Sequence, residues 1–322
     1  MSKEVKGISE AASFDCVGMG HCAFDYICLL DRYPGENEKT EAIGYSEQGG
    51  GPVATAMVTL ARLGAKVAFV GRVGDDREGR FVREEFRREG VDISALQMRA
   101  SVRTPQAFVW VNTENGHRSI VLNRTHWQPP RWEEMNTDVL ENTPYLHLDG
   151  RFPDWEIPAA RFVKSRGGKI VVDVGSVRDE MESLFEIVDY FVASENFLRQ
   201  FAPKSSLKKA LSAIRARGSS TVVVTLGEKG SAGIDSSGFF HLPAFSVSVV
   251  DTTGAGDVFH GAFIFGLIRE WNLPKILAFS NAVAALKCTR PGGREGIPNL
   301  ETTLRFLRER NSVFFEKEEI QE

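Results

Sequence analysis

Short runs of consecutive apolar residues alternate along this chain with segments in which apolar residues recur every three or four positions. The apolar runs are Phe14–Val17, Val67–Val70, Tyr145–Leu148, Ile170–Val174 and Val222–Leu226. The segments with helical periodicity include residues 53–63, 79–89, 158–166 and 206–217. Strands that are apolar throughout and alternate with helices predict an α/β fold, in which helices cover both faces of a doubly wound, mostly parallel sheet.

Two segments, residues 23–48 and 104–124, depart from this pattern because their apolar and polar residues alternate. A period of two is typical of strands with one exposed face. We therefore expect a small antiparallel sheet that projects from the main body, within a single domain spanning residues 1–322. Such a sheet could close as a lid and exclude water from a cleft, or it could only stabilise the fold or a dimer.

Residues 251–257, Asp-Thr-Thr-Gly-Ala-Gly-Asp, are the most informative motif of the chain. They lie between the runs Phe245–Val250 and Val258–Ile268, which predicts a strand, a glycine turn and a helix. Backbone N–H groups at the start of a helix attract anions, and the small residues 254–256 let a phosphate approach the main chain. A carboxylate at Asp257, in this positive environment, indicates proton transfer. The motif therefore predicts phosphoryl transfer to a hydroxyl.

The other glycine motifs allow a structural interpretation as well. Gly49-Gly50-Gly51 precedes a predicted helix, where either a ligand or a tight turn explains it. Residues 225–230 end a strand and turn back, which fits a nucleotide site or a plain hairpin, and Asp76 is predicted to cap a helix. Residues 18–23 match a dinucleotide-binding turn loosely, but a strand follows where that fold needs a helix, so we reject it. The chain contains no P-loop motif.

Composition narrows the class of partner. The 322 residues carry a net charge of −4, so no basic excess indicates nucleic acid. No apolar run is long enough to span a bilayer, and residues 1–13 lack the apolar core of a signal peptide, so we expect a cytoplasmic location. The four cysteines and six histidines have no spacing typical of disulfide frameworks or transition-metal sites.

With these motifs in this order, the chain resembles the ribokinase-like, or PfkB, carbohydrate kinases from about Phe14 to Arg308. Two signatures carry the resemblance: the glycines 49–51 with the helix that leads to Gly74-Asp75-Asp76, and the highly specific motif 251–257. The resemblance implies a ribokinase-like fold with a small β lid. It also implies a sugar and ATP as substrates, Mg²⁺ with the ATP, and a homodimer formed through the lid as one arrangement.

The resemblance assigns roles to individual residues. Asp257 would be the general base toward a sugar hydroxyl. The residues that would form the anion hole for the transferred phosphoryl group are Gly254, Ala255 and Gly256. Family members often bind a monovalent cation such as K⁺ beside this loop, and the candidate ligands here are Asp251 and Thr253.

The remaining roles divide between the sugar and the nucleotide. On the sugar side, the corresponding residues are Asp25, Gly50 and Gly51. On the nucleotide side, they are Thr225, Gly227, Gly230 and Asn281. The chain departs from the family where an Asn-x-x-Glu motif is expected, because Ser194-Glu195-Asn196-Phe197 stands there. Glu195 is the candidate substitute.

Within the family, the segments Gly49–Pro52, Asp257–Gly261 and Cys288–Arg294 resemble the sulfofructose kinases, and Ile120–Arg124 and Asp149–Arg151 resemble ketohexokinase. Both enzymes phosphorylate a primary hydroxyl of a ketose. In the sulfofructose kinases a Lys, an Asn and an Arg contact the sulfonate, and the corresponding residues here are Lys39, Asn123 and Arg151. The alternative is that Lys39 is solvated and that Arg151 pairs with Asp149 or Asp154.

We therefore predict an ATP-dependent kinase that transfers the γ-phosphate to a hydroxyl of a ketose-like sugar, with sulfofructose or another anionic fructose preferred. A ribokinase or fructokinase for a neutral sugar is the first alternative. A nucleoside kinase, with Phe24, Trp110 or Trp127 against the base, is the second. A catalytically inactive sugar- or nucleotide-binding protein is a different class, favoured only by the altered Asn-x-x-Glu segment and opposed by the intact residues 254–257.

Overall fold

The computed structural model describes residues 13–178, 181–310 and 312–315; residues 1–12 and 316–322, the ends of the predicted domain, lie outside them. The strands are β1 (Cys16–Met19), β2 (Ala23–Leu30), β3 (Gly44–Gly50), β4 (Val67–Gly74), β5 (Leu96–Arg99), β6 (Gln106–Asn112), β7 (Arg118–Asn123), β8 (Tyr145–Leu148), β9 (Lys169–Val174), β10 (Tyr190–Ser194), β11 (Thr221–Thr225), β12 (Ser231–Asp235) and β13 (Gly238–Leu242). The α-helices are α1 (Pro52–Arg62), α2 (Arg77–Arg88), α3 (Pro153–Lys164), α4 (Glu182–Phe185), α5 (Glu195–Phe201), α6 (Leu207–Arg215), α7 (Ala255–Ile268), α8 (Leu273–Lys287) and α9 (Leu300–Glu309).

The main sheet has nine strands in the order β13-β12-β11-β10-β9-β8-β1-β4-β5. The strands from β11 to β5 run parallel, and β12 and β13 are antiparallel at one edge. Neighbouring residues of β9 pack into hydrophobic cores on opposite faces of the sheet. Val171 packs in a cluster with α1, α7 and α8, whereas Ile170 and Val172 pack in a cluster with α3 and α6. Helices therefore cover both faces, which confirms the predicted doubly wound sheet.

The lid is a separate four-stranded sheet in the order β3-β2-β6-β7. β2 pairs antiparallel with β3, and β6 with β7, but β2 and β6 run parallel. The prediction of antiparallel strands is therefore wrong for the central pair. The elements α1, β4, α2 and β5 of the main body lie between the two antiparallel pairs along the chain, so no tight turn fixes the direction of β6 against β2. The alternation of apolar and polar residues shows which face of a strand is exposed, but it does not show whether two paired strands run parallel or antiparallel.

The segment Phe245–Val250, which precedes the glycine motif, is not the strand that its alternation predicts. The Val250 N–H donates to Cys288 O at the end of α8 over 2.8 Å, and the Phe245 ring packs against Phe306 of α9 with centroids 5.4 Å apart. The β12–β13 hairpin extends the sheet at this side, so the segment crosses the helical layer instead. Its alternation reflects one face packed on helices.

Close packing fixes the helices that carry the glycine motifs. A Cβ atom at Gly261 of α7 would lie 2.6 Å from Ala56 O of α1, so the two helices touch through their backbones. At the start of α2, the Gly79 N–H donates to the Asp76 carboxylate over 2.9 Å, which confirms the predicted N-cap.

The described residues were compared with the features of membrane-spanning helices and of metal-binding clusters. None of the helices there is both long and apolar enough to cross a lipid bilayer. No cluster of three or more His, Cys, Asp or Glu residues within those ranges could hold a metal ion. The four cysteines are unpaired, and burial raises the pKa of Cys22 to about 12, so this thiol packs as a small neutral side chain.

Candidate active site

The carboxyl ends of the parallel strands bring polar side chains to one edge of the main sheet. His21 follows β1, Asp149 follows β8, and Asp173 lies near the end of β9. His21 Nδ1 lies 2.9 Å from Asp149 Oδ2. Burial opposes ionisation of Asp149, but the contact with His21 outweighs it and lowers the pKa of this carboxyl to about 2. Asp149 therefore stays ionised at this edge, in contact with His21.

The glycine motif forms the N-terminus of α7. Gly254 caps the helix in the left-handed conformation, with φ of 72°, and a Cβ there would lie 2.9 Å from Gly293 O. The backbone conformation and the close approach both require glycine. A Cβ at Gly256 would meet nothing within 4 Å, so the space in front of this residue is open.

The backbone N–H groups of this turn differ in whether they already have a hydrogen-bond partner. The Ala255 N–H donates to Thr252 O over 3.2 Å, so its predicted place among the anion-hole donors is wrong. Within the described part of the chain, the N–H groups of Gly254, Gly256 and Asp257 have no partner. Unpaired amides at the positive end of a 14-residue helix suit a phosphoryl oxygen.

The Asp257 carboxylate lies half-buried on the first turn of α7, with neither an ion pair nor a hydrogen bond among the described residues. Burial raises its pKa and the charge of Asp173 raises it further, while His260, Arg118 and Arg151 oppose the shift. A carboxylate with a raised pKa is a stronger base toward a hydroxyl. This carboxylate is therefore free to accept a proton, as the sequence predicts.

Asp173, which sequence reasoning missed, lies behind this base. His260 Nε2 is 3.4 Å from Asp173 Oδ1, and burial lowers the pKa of His260 to about 4, so the ring is neutral at pH 7. Burial, together with Asp149, raises the pKa of Asp173 to about 7. The signal was a single acid in an apolar strand, Lys-Ile-Val-Val-Asp-Val.

Asp251, a predicted cation ligand, is instead engaged with the main chain. Its buried carboxylate accepts from the Thr253 N–H over 2.7 Å and from the Gly292 N–H over 2.8 Å. Its carbonyl oxygen accepts from Lys287 Nζ over 2.8 Å. The Thr253 hydroxyl is buried and unpaired within the described residues. The oxygens of Asp251 thus tie the motif to α8 and the following glycine loop.

The predicted sugar-side residues lie together on the inner face of the lid. Asp25 is buried in β2, and a Cβ at Gly50 would overlap its carboxylate, so the glycine lets this carboxylate contact the main chain. Gly51, with φ of 100°, begins α1. Burial raises the pKa of Asp25 to about 7, against the attraction of Arg294 and with the repulsion of Asp257. Asp25 thus lies within electrostatic range of the base.

Arg294 is a second residue that sequence reasoning left without a role. Its side chain is 2 % exposed, pairs with Glu85 and donates to Gly50 O over 3.3 Å. It therefore joins the glycine loop 291–293 to the end of β3. In the sequence, Arg294 appears only as the last residue of the segment Cys288–Arg294 that resembles the sulfofructose kinases.

The three predicted sulfonate ligands lie in different surroundings. Lys39 is exposed between β2 and β3. Asn123 is exposed at the end of β7 and donates to Gln106 Oε1 over 3.1 Å. Arg151 is half-buried, with Nε 3.7 Å from Asp149 Oδ2. Both parts of the alternative interpretation therefore hold: Lys39 is solvated and Arg151 pairs with Asp149.

Two further arginines accompany Arg151. The pKa of Arg124, after β7, and that of Arg178, after β9, are both lowered, by burial first and by the charge of Arg151 second. Arg178 Nη1 donates to Gly150 O over 2.9 Å. Arg151 repels each of the other two guanidinium groups, and Asp149 attracts both of them. The three residues Arg124, Arg151 and Arg178 are hereafter called the arginine cluster.

The predicted nucleotide-side residues meet at the ends of β10 and β11. Thr225 pairs with Ser194, which places Thr225 beside Glu195, and Lys229 Nζ lies 3.3 Å from Glu195 Oε1. A Cβ at Gly227 would meet nothing within 4 Å, so this turn is open, whereas Gly230 packs against Leu242 O. Thr225 and Gly227 thus border open space, with the ion-paired Glu195 beside them.

Asn281 has a structural role in addition to its predicted place on the nucleotide side. Its Nδ2 donates to Leu242 O over 3.3 Å and to Pro243 O over 3.1 Å. These bonds anchor the end of β13 to α8. Asn281 therefore helps to hold α8 against the edge of the main sheet.

Arg118, on the lid, is a further residue that the sequence analysis did not single out. Its Nη1 lies 3.3 Å from Thr252 Oγ1, and the Thr252 hydroxyl donates to Gly116 O over 2.9 Å. The turn between β6 and β7 is therefore docked on the glycine motif, with a guanidinium beside it. A single arginine before an apolar strand gives no signal in the sequence.

The aromatic residues considered for a nucleoside base do not line this cleft. Phe24 and Trp110 alternate with Asp25 and Val109 along β2 and β6, so they lie on the opposite face of the lid. Trp127 is buried and donates its indole N–H to Arg72 O over 2.9 Å. These three residues therefore do not supply the aromatic contact to a nucleoside base for which they were considered.

Comparison with known proteins agrees with this geometry. The model of the pfkB family carbohydrate kinases matches residues 14–300. The chain is 28% identical to a ribokinase of Haemophilus influenzae, covering 90% of this chain and 97% of the relative. It is 29% identical to a nucleoside kinase of Methanothermobacter thermautotrophicus (88% and 93%) and 27% identical to a ketohexokinase of Mus musculus (86% and 96%).

Comparison of the fold with solved structures also identifies a ribokinase. The structure of Arabidopsis thaliana ribokinase complexed with ribose and ATP superimposes with a TM-score of 0.80 at 25% identity, covering 92% of this chain and 99% of that one. The nine-stranded sheet with its separate four-stranded lid is thus the ribokinase-like fold that the sequence predicts. The family match spans both halves of the site, from β1 to the start of α9. This chain belongs to the pfkB family of carbohydrate kinases.

Proposed function

We propose that this kinase transfers the γ-phosphoryl group of ATP to a hydroxyl of a ketose-like sugar that carries an anionic group. The observation that carries the chemistry is the free Asp257 carboxylate beside three unpaired amides. The observation that carries the substrate class is the arginine cluster at the neighbouring strand ends. The ribokinase of Arabidopsis thaliana, a structural relative, was solved with ribose and ATP, which supports a sugar and ATP as the two substrates.

The geometry assigns a step to each group. Asp257 takes the proton of the attacking hydroxyl, so that the oxygen forms its bond to phosphorus as the bond to the ADP oxygen breaks. The N–H groups of Gly254 and Gly256 stabilise the charge on the oxygens of the moving phosphoryl group. Asp25 and Gly50 hold sugar hydroxyls from the lid side. Thr225 and Gly227 border the nucleotide.

Magnesium fits the charges at the strand ends. Burial, with the charge of Asp149, raises the pKa of Asp173, and a divalent cation carried on the ATP phosphates would favour the ionised form of this carboxyl. Glu195 is a second carboxylate at the neighbouring strand, although Lys229 and Arg199 already pair with it. When bound, Mg²⁺ neutralises charge on the phosphates.

The arginine cluster supports an anionic rather than a neutral sugar. Placing like charges together at a partly buried position costs free energy, and a bound anion would recover it. Guanidinium groups suit sulfonate and phosphate oxygens because they donate several hydrogen bonds from a fixed plane. Asn123 precedes Arg124 directly, which keeps the predicted amide close to the cluster.

A neutral sugar is the second candidate, favoured by the surroundings of Lys39 and Arg151. Lys39 is exposed, and Arg151 already has Asp149 as a counter-charge. In that case the arginine cluster would only neutralise Asp149 and Asp173. Ribokinase and ketohexokinase among the relatives suit this candidate equally well.

A substrate panel separates these candidates. ADP release would be measured with sulfofructose, fructose, ribose, a ketose phosphate and adenosine at equal concentrations. We expect at least a tenfold higher kcat/KM for one of the anionic ketoses than for fructose or ribose. A higher value for a neutral sugar would establish the second candidate, a higher value for adenosine would establish a nucleoside kinase, and ATP binding without turnover on any acceptor would indicate the inactive binding protein.

We also propose that a second copy of this chain covers the outer face of the lid. Apolar side chains there are exposed: Tyr45, Phe108, Trp110 and Val121. The strand register places all four on the face opposite Asp25. Light scattering after size exclusion should give twice the monomer mass, and Trp110→Glu should reduce it; a monomeric wild-type chain would reject the dimer.

A cytoplasmic location accords with this function. ATP is the phosphoryl donor of cytoplasmic metabolism, and the four cysteines are unpaired. Fluorescent fusion to the full chain, expressed in its native cell, would test the location directly.

A further inference from the structure

Lys287 is the last residue of α8 and is 0 % exposed. The preceding residues of this helix are small or apolar, Ala-Val-Ala-Ala-Leu, so the lysine is the one basic group in the final two turns. Its ammonium donates to the carbonyl oxygen of Asp251 over 2.8 Å. A buried charge of this kind is costly unless it serves the groups around it.

The groups around this ammonium are those predicted to hold a monovalent cation. Such a cation needs several oxygen atoms around it that are free to bind. The two carboxylate oxygens of Asp251 each accept one N–H, from Thr253 and from Gly292, and its carbonyl oxygen accepts from Lys287. The Thr253 hydroxyl is unpaired within the described residues. A K⁺ ion bound to the carbonyl oxygen of Asp251 would lie close to the ammonium of Lys287, and the two positive charges would repel each other.

The ammonium has the charge and nearly the size of K⁺, and it lies behind the anion hole. Burial lowers the pKa of Lys287, but Asp251, Cys288 and Asp257 oppose that shift. The hydrogen bond to Asp251 O places this ammonium at the start of the motif that carries Asp257. A buried positive charge behind the loop stabilises phosphoryl oxygens in front of it, and the hydrogen bond holds the loop in position.

We propose that the ammonium of Lys287 takes the place of the monovalent cation in this chain, so that catalysis proceeds without K⁺. Lys287 is then a positioning residue, because it acts through Asp251 and does not touch the substrate. The proposal rests on the kinase function proposed above, and it is independent of which sugar is the acceptor.

The wild-type protein provides the first test. Turnover with the best acceptor of the panel would be measured in buffers containing K⁺, Na⁺ or tetramethylammonium at equal ionic strength. We expect kcat to differ by less than twofold among them, and the melting temperature to be the same. Stimulation of more than fivefold by K⁺, or a melting temperature raised by K⁺ alone, would overturn the proposal.

Two substitutions test the charge. Lys287→Met keeps the length of the side chain and removes the charge, and we expect kcat to fall at least tenfold while the KM for the sugar changes less than threefold. Lys287→Ala leaves space for an ion, and K⁺ or ammonium should restore its kcat at least fivefold and raise its melting temperature. Arg290→Met removes an exposed cation three residues away and should change kcat less than twofold.

The outcomes separate the two proposals. Wild-type turnover of Lys287→Met without K⁺, or Lys287→Ala that folds but ignores K⁺ and ammonium, would reject the role of Lys287. If the substituted chains fold only with K⁺ present, the role is supported; if they do not fold at all, the wild-type comparison decides. If no acceptor is phosphorylated, the proposed function fails, and the melting temperatures in K⁺ and Na⁺ still test Lys287.

Discussion

The glycine motif and the lid contribute to the same site, yet they are held in position by different means. Buried partners from distant parts of the chain fix the motif: Lys287 and Gly292 donate to Asp251, and Gly293 lies against Gly254. The lid has a small core of its own, Ile27, Ala107, Val109 and Val111, and its last strand, β7, is exposed along its whole length. The motif is thus embedded, whereas the lid rests on a few contacts.

This difference indicates a division of labour between chemistry and specificity. Groups that handle the proton and the phosphoryl charge lie where packing leaves little freedom, because a small displacement of such groups is costly in rate. Groups that would choose the sugar lie at the lid and at the loops after β8 and β9, which can vary without disturbing the core. Substitutions in the motif should therefore change kcat, and substitutions around the lid should change the choice of substrate.

The strongest test of this division is Asp257→Asn. Loss of the base should lower kcat by about 10²–10⁴-fold, with ATP affinity and melting temperature nearly unchanged. Steady-state kinetics, ATP titration and thermal unfolding would be measured on the same preparation. Turnover close to wild type would refute the role of this carboxylate.

The pH dependence of kcat/KM tests the same role of Asp257. Burial raises the pKa of Asp257, and only the ionised carboxylate accepts a proton. The kcat/KM of the wild-type chain should therefore fall as the pH is lowered through this raised value. The residual activity of Asp257→Asn should lack that dependence; an equal decline in both proteins would assign the titration to another group.

The substitution Arg151→Ala tests the specificity side. Removing one guanidinium from the arginine cluster should raise the KM for an anionic ketose about 10–100-fold, as expected for a hydrogen bond to a charged group worth about 1.5–3 kcal/mol. The KM for fructose should change less than threefold. Lys39→Ala should act in the same direction but more weakly, because Lys39 is exposed.

Arg166→Ala is the matched control for Arg151→Ala, since Arg166 is an exposed arginine just after the other end of α3. It should leave both KM values unchanged. Equal effects of Arg151→Ala on the anionic and neutral sugars would dismiss the anion site.

Arg118→Met tests the contact between the two regions. Its guanidinium lies beside Thr252 of the motif, so its loss should weaken both the docking of the lid and the attraction for phosphate. We expect kcat/KM for ATP to fall about tenfold, in line with one charged hydrogen bond. An unchanged value would show that the lid contact does not assist ATP.

The smallest effect that we expect is a change in the melting temperature when Asp173 is replaced. The pKa of Asp173 is raised to about 7 in the folded chain from a reference value of 3.8, so the folded state binds more protons between these values. Its contribution to stability is therefore fully present below about pH 4 and is lost as the pH rises toward 7 and above. Asp173→Asn should raise the melting temperature at pH 8 by roughly 2–4 °C, and by less at pH 5. A lower melting temperature at pH 8 would contradict this.

Several parts of this fold and site follow from residues close together in sequence. The apolar runs at 145–148 and 170–174 predict buried parallel strands because a strand covered on both faces needs apolar residues at every position. The motif 251–257 predicts an anion site because a glycine turn before a helix leaves amides free. The prediction for 245–250 is wrong because alternation shows a half-buried extended segment, and the pairing partner is a property of the whole sheet.

The sequence by itself determined the class of fold and the place of the glycine motif at the start of a helix, because each depends on local periodicity or on adjacent residues. The tertiary structure decided which amides of the motif stay free, that Lys287 donates to the carbonyl oxygen of Asp251, and that Arg151 lies near both Arg124 and Arg178. These properties depend on distances between residues far apart in the chain. Only the packing of strands and helices sets those distances, and hydrogen bonds and charges act over them.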